Sequence, residues 1–146
     1  MAKVTILIGM PGSGKSTFLG ECKKEQNGIS IFDDYHAYSD TPDFKDGLFY
    51  NKLRMDLQNN KNCFIADVAY CDQSRLKEAK EAIENIAADL NIQIDIKCLY
   101  FENNAGACNN NVEKRNRKQL EEIKKRSETY LIPDGATVLS VFSEER

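Results

Sequence analysis

The stretch ILIGMPGSGKST, residues 6–17, decides how the rest of this chain is read. An apolar, β-branched run stops at Gly9, three glycines fall within six positions, and a lysine and two hydroxyls close the segment. The spacing Gly9-x4-Gly14-Lys15-Ser16, between a strand pattern and a helix pattern, is that of a Walker A phosphate loop. Gly9, Gly12 and Gly14 allow a backbone path closed to other residues, so that successive N–H groups turn inward. The N-terminus of the following helix adds donors and a dipole that favours anions. Lys15 is expected to bridge the β- and γ-phosphates of ATP and Ser16 to give its hydroxyl to Mg2+, with Pro11, Ser13 and Thr17 completing the loop.

Outward from this loop, strand and helix patterns alternate. Short apolar or β-branched runs predict strands over 3–8, 29–32, 63–66, 92–101 and 136–142. Helices are predicted over 15–25, over 44–58 (Phe49, Leu53 and Leu57 every fourth residue), along the stripe Leu76, Ala79, Ile83, Ile86 and Leu90, and over 112–130. Residues 103–111 read as a polar loop. Such alternation predicts a single α/β domain over residues 1–146, with a mostly parallel five-stranded sheet and helices on both faces. Ligands in sheets of this kind sit beyond the carboxyl ends of the strands. Gly9, Asp33, Asp67 and Glu102 all fall at such ends.

Composition narrows the class. The chain has 146 residues, 41% of them hydrophobic and 29% charged, with a net charge of -3. That balance gives no global attraction to nucleic acid. No apolar run reaches the ~18–20 residues of a membrane span, and the first residues run directly into a strand, so a cytoplasmic protein is expected. The five cysteines are scattered without metal-ligand spacing and read as reduced structural thiols. Charge is uneven along the chain: VEKRNRKQLEEIKKR, residues 112–126, carries seven Lys/Arg against three Glu. The spacings Glu113–Arg117, Glu121–Lys125 and Glu122–Arg126 suit ion pairs on an exposed helix. Lys114, Arg115, Lys118 and Lys124 have no such partner and are candidates for an anion contact.

Two strand ends carry acids. In IFDDY, residues 31–35, Asp33 is the candidate base for an attacking hydroxyl, with Asp34 in a capping or supporting role. In CFIAD, residues 63–67, Asp67 ends a strand as a Walker B acid does, placed to hold a water around Mg2+ or to orient an acceptor; an ordinary capping Asp has the same position. His36, between Tyr35 and Tyr38, is a candidate to stack on an acceptor base.

Taken together and in order, GMPGSGKST, IFDDY, FIAD and VEKRNRK resemble the P-loop kinases related to bacteriophage polynucleotide 5′-hydroxyl kinase, over nearly the whole chain. The resemblance implies the P-loop kinase fold, ATP and Mg2+ as cofactors, and the 5′-hydroxyl of a nucleic acid or nucleotide as acceptor. It implies Lys15, Asp33 and Arg115 as catalytic residues. It also implies a lid over residues 103–126 in which Arg115, Arg117 or both close over ATP, and an acceptor site at Asp33, His36 and Asp67 with Ser16 and Asp67 at the metal. Three departures concern the acceptor and the lid. His36-Ala37 stands where the relatives carry an arginine for acceptor phosphate, Val68-Ala69 follows Asp67, and in the simplest register Gln119 stands at the second lid arginine, for which Arg117 or Lys118 could substitute. Two alternatives stay open: a small-molecule kinase acting on a nucleoside, sugar or antibiotic, and a nucleotide-dependent binding or switch protein with slow ATP hydrolysis.

Overall fold

The computed structural model describes residues 1–26, 28–38, 44–112 and 116–141. The chain runs β1 (Ala2–Ile8), α1 (Lys15–Glu25), β2 (Ser30–Asp33), α2 (Phe44–Gln58), β3 (Cys63–Ala66), a 3-10 turn (Val68–Cys71), α3 (Gln73–Leu90), β4 (Ile94–Phe101), α4 (Ala105–Asn111), α5 (Arg117–Thr129) and β5 (Thr137–Leu139). The strands lie in the order β2-β3-β1-β4-β5. Every pairing is parallel, so all five carboxyl ends share one rim.

β1 is buried on both faces, which is why it reads as a continuous apolar run rather than an alternating one. Val4, Ile6 and Ile8 belong to the larger core, with Phe32 and Ile65 of neighbouring strands. Leu7 points the other way, into a smaller core with Ala66 and Leu19. α1 covers that smaller side through Phe18 and Leu19. α2, α3 and α5 cover the larger one through Leu53 and Leu57, Leu76, Ala79, Ile83 and Ile86, and Ile123. Helices therefore flank both faces, as the alternating pattern predicts.

α3 is the plainest case of sequence becoming structure. Asp72 caps it by accepting the Ser74 N–H at 2.9 Å, its apolar stripe is buried from Leu76 to Ile86 and half-buried at Leu90, and Asn91 ends it in a left-handed turn at φ 56°.

Three boundaries differ from the sequence expectation. Residues 105–111 form α4 although AGACNNN has poor helix propensity. Asn104 caps this helix by accepting the Ala107 N–H at 3.0 Å, and Cys108 is fully buried beneath it, so tertiary packing overrides propensity. The basic helix starts at Arg117 rather than at 112, because Val112 is extended and the Asn116 side chain caps the Gln119 N–H at 3.1 Å. The last strand is only Thr137–Leu139, and Phe142 lies outside the described residues.

Cys63, Cys71 and Cys108 are buried, whereas Cys22 and Cys98 are partly accessible. Burial pushes the Cys63 thiol up to about 12 and those of Cys71 and Cys108 up to about 11. Burial raises the Cys22 and Cys98 thiols as well, but a reagent can reach these two, so they are expected to react, through their thiolate form, in the native chain at pH 8. The other three are expected to need denaturant, which a thiol count with and without denaturant checks. Among the described residues no helix is long and apolar enough to cross a membrane.

Candidate functional site

The loop between β1 and α1 borders a cavity of about 680 Å³ on the carboxyl rim. Gly12 and Gly14 both adopt left-handed backbone angles, at φ 78° and 104°, a conformation that costs other residues ~1–2 kcal/mol. Gly14 precedes α1 without any side-chain cap, so the first-turn N–H groups remain available to an anion. Lys15 is buried, and its ammonium donates to the carbonyls of Gly9 (2.8 Å) and Met10 (2.9 Å) and to Ser13 Oγ (3.4 Å). Burial lowers its pKa, while the nearby Cys71, Asp67, Cys108 and Asp33 act the other way.

The acid that meets this loop is Asp33. Its Oδ2 accepts a hydrogen bond from Ser16 Oγ at 2.8 Å, joining the end of β2 to the first turn of α1. Asp34 follows in a left-handed conformation at φ 58°, which an aspartate tolerates better than most residues. Both acids line the cavity together with Lys15, Ser16 and Thr17. A divalent cation taken by Ser16 would thus find carboxylate oxygen from Asp33, the donor type that Mg2+ requires.

Asp67 acts electrostatically on Lys15 and makes its own contacts with the turn after β3 and with His36. It is buried and accepts the Ala69 N–H at 3.0 Å, and His36 Nε2 lies 3.3 Å from its Oδ2. Desolvation raises its pKa against the opposing effects of that N–H and of His36. The other ring nitrogen, His36 Nδ1, is 3.1 Å from Asp46 Oδ2, and the His36 N–H donates to Asp46 Oδ1 at 3.2 Å. A half-exposed imidazole therefore spans two buried carboxylates. Tyr70, just after Asp67, fixes the same segment by donating to the Tyr35 carbonyl and accepting the Ala37 N–H at 3.1 Å. The structure thus brings Ser16 to Asp33, and Asp67 to His36.

Of the basic residues, Arg115 and Lys114 lie outside the described residues, as does Glu113. Arg117 is exposed and is not among the residues lining the cavity, whereas Asn116, Lys118, Gln119 and Glu122 are. Glu122 also pairs with Arg126, as the spacing predicts. Among the described residues, Lys118 is accordingly the cation of α5 that lines this cavity with the glycine-rich loop.

Asn111 and Asp46 escape a sequence reading. Asn111 lines the cavity and donates from Nδ2 to the Gly12 carbonyl at 2.9 Å, across 99 positions. Asp46 sits in the first turn of α2, where an acid ordinarily signals only a favourable helix dipole.

The loop is closed from behind by α4. A Cβ at Gly12 would lie 2.4 Å from the Cys108 carbonyl oxygen and 2.8 Å from Val112 Cγ2. Gly12→Ala is expected to destabilise the chain by about 2–5 kcal/mol, from left-handed strain plus overpacking against backbone. Denaturant unfolding measures that loss.

These features define an α/β protein with an all-parallel five-stranded sheet and a glycine-rich loop at its carboxyl rim. No protein-family model matches the chain. An uncharacterized protein of Acanthamoeba polyphaga mimivirus, R277, is 32% identical over 124 residues, spanning 83% of this chain and 80% of the viral protein. The chain belongs to the same family as that protein.

Proposed function

We propose that this chain is an ATP- and Mg2+-dependent phosphotransferase acting on a hydroxyl acceptor, with the P-loop kinase fold. The observation that carries the reading is the 2.8 Å bond between Ser16 and Asp33 beside the buried Lys15. It gathers an anion-binding loop, oxygen donors for a cation and a proton acceptor around one cavity. The cavity, about 680 Å³, is large enough for a nucleotide. ATP, when bound, supplies the phosphoryl group, and Mg2+ offsets its charge.

The chain's own residues do the rest. Lys15 exchanges one of its carbonyl partners for phosphate oxygen and keeps its charge against the group in transit. Asp33 takes the proton of the attacking hydroxyl. Lys118 adds positive charge from α5, on the side where the sequence resemblance expects Arg115 or Arg117. That resemblance gives the 5′-hydroxyl of a nucleic acid or nucleotide as acceptor. A second reading, a small-molecule kinase, is favoured by His36. At the position where the resembling kinases hold acceptor phosphate with arginine, this imidazole is engaged by Asp46 and Asp67.

The test supplies γ-labelled ATP with a 5′-hydroxyl oligonucleotide, with a mixture of nucleosides, or with no acceptor. Label on the oligonucleotide supports the first acceptor, and label on a nucleoside the second. Label released only as free phosphate, and unaffected by Asp33→Asn, would overturn the phosphotransferase in favour of a nucleotide-dependent binding protein.

A further inference from the structure

The glycine turn of the loop is held from a distant part of the chain. Ser13 N–H donates to the Met10 carbonyl at 3.1 Å, closing a turn with Pro11 and Gly12 at its centre. Proline followed by a glycine at φ 78° is the pattern of a type II turn. The same Met10 carbonyl takes the Lys15 ammonium at 2.9 Å. Turn and buried lysine thus share one acceptor, so a change in the first is felt by the second.

Glycine is a weak lock for such a turn. It populates positive and negative φ about equally, so Gly12 by itself leaves other turns within easy reach. Gly14 has the same freedom, at φ 104°. The selection of one shape comes from α4. Asn111 Nδ2 donates to the Gly12 carbonyl at 2.9 Å, and the Cys108 carbonyl and Val112 close the space behind the Gly12 α-carbon. The Gly12 carbonyl and the Ser13 N–H belong to one planar peptide unit. Asn111 grips one end of that plane and Met10 the other, so it cannot rotate without breaking a hydrogen bond.

α4 has anchors of its own besides this grip. Asn104 caps its start by accepting the Ala107 N–H at 3.0 Å, and Cys108 is fully buried in the larger core. Asn111, the last residue of α4, lines the same cavity as Gly14, Lys15 and Ser16. The cap of the helix and the grip on the loop therefore fall on different asparagines. Each can be removed separately.

We propose that Asn111 is a positioning residue for phosphate binding: its amide holds the Gly12–Ser13 peptide in the orientation that keeps the loop shaped for a polyphosphate. The proposal rests on the phosphotransferase reading only in taking phosphate as the ligand of the loop, and binding tests it without any transfer.

Asn111→Ala and Asn104→Ala are compared in the whole chain. ATP and inorganic tripolyphosphate are each titrated with Mg2+ by calorimetry, melting temperatures are recorded, and the Ser13 amide is followed by NMR spectroscopy without ligand. Asn111→Ala is expected to weaken both ligands about tenfold, the upper end for one hydrogen bond. It should also shift the Ser13 amide resonance and melt within a few degrees of wild type. Asn104→Ala loses a helix cap, so it should melt lower while ligand affinity and the Ser13 resonance stay as in wild type. Where alanine at 111 leaves a chain that does not melt cooperatively, Asn111→Leu removes the donor with nearly the same shape.

Four results would overturn the proposal. Affinity for both ligands could stay at the wild-type value in a folded Asn111 variant. A loss confined to ATP would put Asn111 at the base. A loss without any shift at Ser13 in the free chain would make Asn111 a direct ligand. A loss in both variants, in step with melting temperature, would reduce its role to general stability. A wild-type chain that binds neither ligand overturns the proposal together with the phosphotransferase. One that binds both and responds to Asn111→Ala as expected, but transfers no label, overturns the phosphotransferase alone.

Discussion

Lys15→Met is expected to reduce phosphoryl transfer at least ~10²–10³-fold, the range seen when one preorganised charge or donor is removed from a transition state. The side chain is buried, and its three N–H donors are matched by Gly9, Met10 and Ser13. Methionine keeps most of the stem's volume but offers no donor and no charge. Two effects on stability then oppose each other. The Gly9 and Met10 carbonyls lose a partner, at ~1–3 kcal/mol for each acceptor that water cannot reach. Against that, the desolvation that lowers the Lys15 pKa disappears with the charge. The melting temperature should therefore move by only a few degrees while transfer collapses, and this contrast is what the experiment reads. Thermal melts and transfer of γ-labelled phosphate on the same preparations measure it. Transfer within a few-fold of wild type would show that the ammonium serves only to hold its own loop.

Much of the fold was legible because its information is local. β1, the glycine-rich turn and α1 follow one another in a pattern that needs no distant partner, and the α3 stripe recurs at helical spacing. α4 was not legible for the opposite reason. Its polar, glycine-containing sequence is held in place by the buried Cys108 and by Asn111, which reaches Gly12 across 99 positions. A propensity argument sees neither. The basic segment misled at its start, because Asn116 offers the backbone a cap where charge periodicity alone continues the helix back to 112.

The site divides in the same way. Lys15, Ser16, Asp33, His36 and Asp67 each stand out singly, from loop spacing or from position at a strand end. The bond between Ser16 and Asp33 does not. The resemblance sets Ser16 and Asp67 at the metal and Asp33, His36 and Asp67 at the acceptor; the rim bonds Ser16 to Asp33 and brings His36 to Asp67. β2 and β3 end level with each other, with Asp33 opposite Ala66 in the register. Asp67 thus begins one residue later, at the 3-10 turn, and its carboxylate is taken by the Ala69 N–H. Asp46 carried no signal at all: its role depends on α2 returning past the segment that holds His36.

Asp33→Asn separates the two tasks its carboxylate can perform. One oxygen accepts from Ser16 at 2.8 Å, so the group is near any cation Ser16 holds. A carboxylate has a second oxygen, and Asp33 lines the cavity into which the proposed function brings an acceptor hydroxyl. Asparagine preserves the shape and an acceptor for Ser16 but removes the charge and the ability to take a proton. If proton transfer is the task, kcat should fall ~10²–10⁴-fold, the usual contribution of a positioned base, with ATP affinity nearly unchanged. Extra Mg2+ should not restore the rate. If cation binding is the task, ATP affinity measured with Mg2+ should fall, and high Mg2+ should recover much of the lost rate. The geometry favours the first outcome, because Asp34 also lines the cavity and can supply carboxylate charge when Asp33 is neutral. The double variant Asp33→Asn/Asp34→Asn should then lose ATP affinity in the presence of Mg2+, which the single variant keeps.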